Sequence, residues 1–210
     1  NFTMTEKINI ADLKIAYFGE KTVKRYIETI SDAESTLRLG SIAAVTAGEA
    51  AAMALRAIRL TGTEDAALKK AEADCETLRD YFVKIIDEDT KARKPLEKRL
   101  AGNASEKEIE SGYLTACIMI DELLYSSIQM MEVLDRVADK IAPDAAVYAA
   151  AAVRYARTAM DSVRLVHAVY GARIVDPVCS HTVTREPEIA MDGNAEFADA
   201  LMKKFESVIK

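Results

Sequence analysis

Hydrophobic residues recur three and four positions apart along most of the chain, which is the spacing of one face of an α-helix. This pattern predicts an amphipathic helix from Lys21 to Ile30, two longer helices further along, and a last helix over residues 195–209. The apolar positions of the longer helices are Leu68, Ala71, Cys75, Leu78, Phe82 and Ile85 in one, and Ile109, Tyr113, Ala116, Ile120, Leu124, Ile128, Met131, Leu134 and Val137 in the other. We expect each helix to bury this face against its neighbours.

The segment from Ser35 to Leu60 departs from this pattern, because small apolar residues occupy nearly all of its sides. A loop is predicted to become a helix at Gly40 and Ser41, and most later positions are alanine or another apolar residue. Alanine combines a high helix propensity with a very small side chain. We therefore predict a central buried helix that ends near Thr61-Gly62 and whose first backbone N–H groups favour an anion.

Local signals set the ends of the next two helices. Thr63 is predicted to cap the third helix, which should stop before Pro95, because the residue before a proline disfavours the helical conformation. Ser105 and Glu108 have the spacing of a capping box and predict the start of the fourth helix. A break in that helix near Ser126-Ser127 is an open alternative.

Pro143 and Asp144 predict the start of a fifth helix, since proline suits the first helical position and an acid suits the first turn. Its Ala145–Ala156 section is again rich in alanine, and the helix should end near Gly171. The segment Arg173–Asn194 contains two prolines and a glycine, so it is predicted to be mostly loop.

Together these elements predict an all-α fold, an antiparallel bundle of about six helices. We expect an N-terminal extension over residues 1–20, with a short strand or loop, and a single helical domain over residues 21–210. Two alanine-rich helices in so small a bundle indicate close packing across a dimer interface, so we expect a homodimer.

The composition limits the partners and the compartment. The 210 residues carry a formal net charge of −6, which argues against a nucleic-acid or anionic-membrane partner. Three cysteines without a CxxC pair fit a reducing compartment, and we expect a cytoplasmic protein. No apolar run of about 18 residues is free of charge, so no transmembrane span is predicted.

The usual metal site of helical bundles has no ligands in this sequence. A di-iron site needs Glu-x-x-His on two helices, and neither His167 nor His181 has a glutamate three residues before it. Phosphate-binding glycine loops, zinc-protease motifs and serine-hydrolase motifs are absent as well. No metal is therefore expected, and Cys75 and Cys117 are interpreted as small core residues.

Charged residues near helix ends are the remaining candidates. Asp87-Glu88-Asp89 lies near the predicted end of the third helix, where negative charge opposes the helix dipole. The alternative to a site is a solvated acidic turn paired with Lys91 and Arg93. Asp144 could transfer a proton, although an acid at a helix start also has a purely structural explanation. Arg164 could hold a carboxylate, with solvation at the surface as the simpler interpretation.

Four segments in order resemble the cyclodeaminase/cyclohydrolase family, which includes the cyclodeaminase part of formiminotransferase-cyclodeaminase and stand-alone methenyltetrahydrofolate cyclohydrolases. The segments are Gly40–Ala52, Ile86–Ala92, Asp144–Val147 and Ser162–Arg164. Gly40–Ala52 resembles the start of the alanine-rich helix that follows the family's Pro-Thr-Pro-Gly-Gly-Gly-Ser loop, and Ile86–Ala92 resembles its Ile-Asp-Glu-Asp-x-x-Ala-Phe motif. Asp144–Val147 resembles the family's Ser-Asp-Ala-Gly-Val motif, and Ser162–Arg164 resembles its Asn-Val-Arg motif. Spacing and helix order agree over about residues 21–172.

The resemblance implies an all-helical dimer with a tetrahydrofolate one-carbon derivative as its substrate. Family members either expel ammonia from a formimino adduct while the methenyl ring closes, as lyases, or hydrate that ring to the formyl form, as hydrolases. The residues that this reading assigns to the site are Asp144 for proton transfer and, for substrate binding, Arg38, Gly40, Ser41, Asp87, Asp89, Ser162 and Arg164.

The sequence departs from the family at the glycine loop, where Leu37, Arg38 and Leu39 stand in place of a proline and two glycines. Their side chains add bulk where glycine would let the backbone approach a ligand. Arg93 also stands in place of a phenylalanine. Two alternatives therefore stay open: a diverged member that binds another small anion, with Arg38 as the new contact, and a non-catalytic helical partner protein that keeps only the fold.

Overall fold

The computed structural model describes residue 19 and residues 21–209, and this part of the chain contains six α-helices and no strand. The helices are α1 Val23–Ser31, α2 Leu39–Thr61, α3 Ala66–Ala101, α4 Glu106–Val137, α5 Ala146–Gly171 and α6 Pro177–Glu206. Short 3₁₀ turns over Ala138–Lys140 and Pro143–Ala145 join α4 to α5. The predicted all-α bundle of about six helices is confirmed, whereas the strand or loop predicted over residues 4–20 lies outside the described residues, apart from residue 19.

The two alanine-rich helices α2 and α5 form the centre of the bundle, with α3, α4 and α6 packed around them. They run antiparallel, because the N–H of Ala142, just before α5, donates to Thr61 Oγ1 at the end of α2 over 3.0 Å. Seven alanines of α2 are almost completely buried: Ala43, Ala44, Ala47, Ala50, Ala51, Ala54 and Ala57. The prediction of a central buried helix is therefore confirmed.

The length and hydropathy of α2 would also allow it to cross a membrane, and among the described helices it is alone in this. Of its most apolar window, 61% is buried inside the bundle. Packing against neighbouring helices therefore accounts for its apolar composition.

The start and the course of α3 differ from the sequence prediction. Asp65 caps the helix in place of Thr63, because its carboxylate accepts two backbone N–H groups of the first turn. The helix also continues through Pro95, although an interior proline typically costs about 3 kcal/mol. Leu96 is buried against the core, and Arg93 forms ion pairs one helical turn before and after itself. These contacts offset the lost backbone hydrogen bond.

The prediction of mostly loop over Arg173–Asn194 is wrong, since α6 occupies most of that segment. Asp176 caps α6 by accepting two backbone N–H groups. Pro177 then takes the first helical position, where the missing N–H is not needed. Pro187 lies buried within the helix. Both prolines were interpreted as helix breakers, and neither acts as one.

Most of the remaining boundaries agree with the prediction. The capping box of Ser105 and Glu108 is present, and Gly62 ends α2 with a φ of +100°, a conformation that favours glycine. The alternative of a break at Ser126-Ser127 is excluded, because α4 is continuous there. α5 begins only after the 3₁₀ turn that Pro143 opens.

Candidate functional site

A cluster of buried polar side chains lies at the start of α2. Ser41 Oγ donates to Asp89 Oδ2 over 2.7 Å, and Arg93 Nε lies 3.4 Å from the same oxygen. Asp89 is 1% exposed and Arg93 is 3% exposed. Buried charges are costly unless they are paired, and the N-terminal end of a helix favours negative charge. The partial positive charge of α2 and the guanidinium of Arg93 therefore both stabilise the Asp89 carboxylate.

Gly40 allows this cluster to pack closely. A Cβ atom on Gly40 would lie 2.5 Å from Ile120 Cδ1 and 2.9 Å from Asp89 Oδ1. Both distances are shorter than the contacts that Cβ atoms make in real proteins, so a larger residue would force the side chains of Ile120 and Asp89 to shift. Close packing against Ile120 and Asp89 therefore accounts for a glycine at position 40 without a bound ligand.

Arg93 also ties the loop before α2 to α3. Its Nη2 donates to the carbonyl oxygen of Thr36 over 3.1 Å, and its Nη1 donates to Glu97 Oε1 over 3.1 Å. Asp89 Oδ1 and Arg93 Nε have no hydrogen-bond partner in the described part of the chain. The buried ion pair therefore leaves one acceptor and one donor unsatisfied.

A cleft of about 400 Å³ opens beside this cluster, where the start of α2 meets the ends of α3 and α5 and the start of α4. This volume lies within the range typical of small-molecule sites. The residues that line it are Arg38, Leu39, Gly40, Arg93, Leu96, Glu97, Leu100, Tyr113, Leu165, Val166, Val169, Tyr170 and Arg173. The walls are mostly apolar, with six aliphatic and two tyrosine side chains, and three arginines lie among them.

The charges of the cleft favour an anion. Arg38 and Arg173 are exposed, and neither forms an ion pair with a residue that the structure describes. Arg38 Nη1 donates only to the carbonyl oxygen of Ser35, over 2.8 Å. Glu97, the one acid among the lining residues, is already paired with Arg93. Two guanidinium groups are therefore available to hold a carboxylate.

Two tyrosines form one wall of the cleft. The rings of Tyr113 and Tyr170 lie 5.5 Å apart at an angle of 59°. Burial raises the pKa of Tyr170 to about 12, and the negative charge of Asp89 adds to this effect while Arg93 opposes it. Tyr170 is therefore a neutral phenol near pH 7, with an O–H group that can donate.

Four of the residues that the sequence predicted for a site come together here. Arg38 and Gly40 line the cleft, while Ser41 and Asp89 are buried behind it. For Asp89 the alternative of a solvated acidic turn is right about the ion pair with Arg93 but wrong about the surroundings, because the carboxylate is buried within α3. Asp87 lies on another face of α3, where a Cβ atom on Gly19 would be 3.8 Å from its Oδ2.

The structure places Arg164 and Ser162 elsewhere on α5. Arg164 lines a separate groove of about 260 Å³ between α4, α5 and α6, together with Asp161. Ser162 Oγ donates to the carbonyl oxygen of Thr158 within its own helix, over 2.9 Å. Neither residue lines the cleft beside Gly40.

Asp144 lies at the other end of α2. It is exposed in the 3₁₀ turn before α5, next to Ala142, whose N–H donates to Thr61. Because α2 has 23 residues, it spans about 35 Å. A single chain therefore does not bring Asp144 to the cleft.

No group of three or more His, Cys, Asp or Glu side chains in the described ranges could hold a metal ion. His167 is buried, with Nδ1 3.1 Å from the carbonyl oxygen of Val163 and Nε2 2.7 Å from Asp121 Oδ1. The contact with Asp121 links α5 to α4, whereas the contact with Val163 lies within α5. Cys75 and Cys117 are buried free thiols, as the sequence predicts.

Sequence analysis missed three residues of the cleft. Tyr113 was assigned to an apolar helix face, and neither Tyr170 nor Arg173 was considered. A usable signal was the position of Arg173 directly after the predicted end of α5 at Gly171. Because α2 and α5 are antiparallel, the end of α5 meets the start of α2.

Residues 22–189 match the family described as formiminotransferase-cyclodeaminase. The fold is similar to that of a formiminotetrahydrofolate cyclodeaminase from Thermotoga maritima, with a TM-score of 0.76 over 90% of this chain and 96% of that chain, at 12% sequence identity. At this identity the likeness shows a shared fold. No curated protein sequence matches the chain.

Proposed function

Because the chain belongs to the formiminotransferase-cyclodeaminase family, we propose that it binds a tetrahydrofolate one-carbon derivative as its substrate in the cleft at the start of α2. The observation that carries this proposal is the pair of exposed arginines, Arg38 and Arg173, which form no ion pair with any described residue and lie beside largely apolar walls. A reduced folate has a ring system that suits apolar walls and the two tyrosines, and a glutamate tail whose carboxylates suit guanidinium groups.

The proposed reaction is that of a cyclodeaminase, which expels ammonia, or of a methenyltetrahydrofolate cyclohydrolase, which hydrates the ring. Both need a proton to move at the folate nitrogens, and Asp144 is the proposed proton-transfer group. Since Asp144 and Gly40 lie at opposite ends of α2, this role requires a homodimer in which a second copy supplies the aspartate.

The arrangement of α2 supports such a dimer. It leaves one stripe partly or fully uncovered, formed by Ile42, Val45, Glu49, Ala52 and Arg56. A two-fold axis perpendicular to the middle of this stripe would place the start of one α2 beside the end of the other. Each cleft would then lie near an Asp144 that belongs to the other copy.

Ligand binding tests the first part of the proposal. We expect 5-formyltetrahydrofolate to raise the melting temperature of the wild-type protein through mass action. Arg38→Ala and Arg173→Ala should each weaken its binding by about tenfold, since each removes a charged partner of a carboxylate. Arg79→Ala is the matched control, because Arg79 lies far along α3 and pairs with Asp80. Equal affinities of all four proteins would contradict the proposal.

Subunit mixing tests the role of Asp144. At substrate concentrations well below saturation, Asp144→Asn should lose turnover, and Arg38→Ala should lose about nine-tenths of it through its tenfold weaker binding. When the two variants are unfolded together and refolded, mixed dimers contain one intact site, so roughly a quarter of wild-type turnover should return. A mixture without activity, or a monomer by light scattering, would remove Asp144 from the mechanism.

A diverged member that binds another small anion is the second candidate. It is favoured by Arg38 and Leu39, whose side chains both line the cleft. In that case 4-aminobenzoate should raise the melting temperature and 5-formyltetrahydrofolate should not. A non-catalytic partner protein would respond to neither compound.

A further inference from the structure

The guanidinium of Arg93 separates the cleft from a buried carboxylate. Arg93 lines the cleft, whereas Asp89 does not. The two side chains form an ion pair of 3.4 Å between Arg93 Nε and Asp89 Oδ2, and both are almost completely buried. Seen from the cleft, Arg93 therefore lies in front of Asp89.

This arrangement determines which charges a ligand meets. The negative charge of Asp89 is compensated from inside the protein, and that of Glu97 is shared with the same guanidinium. No described residue forms an ion pair that neutralises the positive charges of Arg38 and Arg173. A ligand that enters the cleft thus meets positive charge and no free carboxylate.

A guanidinium and an amidinium are both planar, delocalised cations that donate N–H groups to a carboxylate. Arg93 consequently occupies the position that an amidinium group of a ligand would take on Asp89. We propose that Arg93 is the residue that sets the charge selectivity of the cleft, so that aromatic ligands with an anionic head bind and those with an amidinium head are rejected. This inference rests on the cleft of the proposed function but not on folate as its ligand.

Two probes of equal size and opposite charge test the proposal: 4-aminobenzoate and 4-aminobenzamidine. We expect the wild-type protein to bind the benzoate at least about tenfold more tightly, since juxtaposed like charges are unfavourable. Arg93→Met should free Asp89 and raise the affinity for the benzamidine by about tenfold or more. Arg93→Lys keeps the positive charge and should leave the wild-type preference in place.

Three further proteins separate selectivity from folding. Arg93→Gln removes the charge but keeps a polar side chain that can donate a hydrogen bond. It replaces Arg93→Met in the test if that variant does not fold, and it should likewise gain benzamidine binding. The double variant Arg93→Met/Asp89→Asn lacks the negative charge that would attract the amidinium and should not gain benzamidine binding. Arg79→Met controls for the loss of a positive charge outside the cleft and should keep the wild-type preference.

Equal binding of the two probes by the wild-type protein would overturn the proposal. So would a folded Arg93→Met or Arg93→Gln protein without any gain for benzamidine, or a double variant that gains it equally. If 5-formyltetrahydrofolate fails to bind while the two probes behave as expected, the proposed function is lost and the charge selectivity stands.

Discussion

The two ends of α2 differ in how the helix is terminated and in whether the charged side chains nearby are buried. At the C-terminal end, Gly62 stops the helix with a positive φ, and the exposed guanidinium of Arg59 forms ion pairs with two half-buried glutamates, Glu72 and Glu76. At the N-terminal end no side chain caps the helix, and the charges of Asp89 and Arg93 are buried. Exposed pairs contribute little to stability, whereas buried charges are costly when they lose a partner.

The difference shows where a ligand site can be expected. The C-terminal end is fully explained by the rules that terminate a helix. The N-terminal end has an incompletely satisfied ion pair between Asp89 and Arg93, an apolar cleft, and two exposed arginines without an ion-pair partner in the described chain. Substitutions at the two ends should therefore differ in size and in cause.

The largest effect is expected at Arg93. Arg93→Met leaves the buried Asp89 carboxylate without its counter-charge and should lower the free energy of unfolding by about 3–5 kcal/mol. Urea denaturation followed by circular dichroism measures this change. In the double variant Arg93→Met/Asp89→Asn the loss should be clearly smaller than in Arg93→Met alone. A loss below about 1 kcal/mol for the single variant would mean that the pair is not buried as described.

Gly40 should be the next most sensitive position. Gly40→Ala places a Cβ atom against Ile120 and Asp89, and such overpacking costs about 1–3 kcal/mol. Gly193→Ala is the control within α6, where an added Cβ meets no atom within 4 Å. It should stabilise the helix by about 0.5–1 kcal/mol. Thermal unfolding of both variants tests the contrast, and similar shifts would contradict it.

The matching substitution at the other end is Gly62→Ala. No atom lies within 4 Å of an added Cβ there, but φ is +100°, so the cost of about 1–2 kcal/mol arises from the backbone alone. Gly62→Asn should cost about as much as Gly62→Ala, because a ψ of 149° places the residue outside the left-handed helical region that asparagine tolerates. Gly40→Asn should cost more than Gly40→Ala, because the space around Gly40 limits the size of the side chain. Clearly different costs of the two substitutions at Gly62, or equal costs at Gly40, would remove the distinction between the two ends.

The smallest effect on stability is expected at Asp144. The side chain is exposed at the start of α5, so Asp144→Asn should cost less than about 1 kcal/mol, through the helix dipole alone. Calorimetry measures this change. A larger loss would mean that Asp144 has a structural partner, and its proposed role in proton transfer would then need another basis.

The contrast between the ends also explains what the sequence could predict. The run of alanine and other small apolar residues predicted the central helix, and the pair of Ser105 and Glu108 predicted the start of α4, because both signals are local. Pro95 and Pro187 misled the prediction, because α3 and α6 continue through them. Arg173 was missed because only the antiparallel packing of α5 on α2 brings it to Gly40.

The residues that the sequence predicted for one site lie at different places in the fold, for a related reason. Asp144 and Arg164 belong to segments that resemble family motifs, but a motif states which residue types occur and not where a helix 35 Å long ends in space. Arg38, Gly40, Ser41 and Asp89 came together because α2 and α3 pack side by side. The second alanine-rich helix did not bring its aspartate to the same end.

The most direct measurement is the crystal structure of the protein with 5-formyltetrahydrofolate. We expect the ligand to lie in the cleft at the start of α2, with its carboxylates within hydrogen-bond distance of Arg38 or Arg173 and its rings against Tyr170. A ligand bound instead in the groove lined by Arg164 and Asp161, with the cleft beside Gly40 empty, would contradict the account.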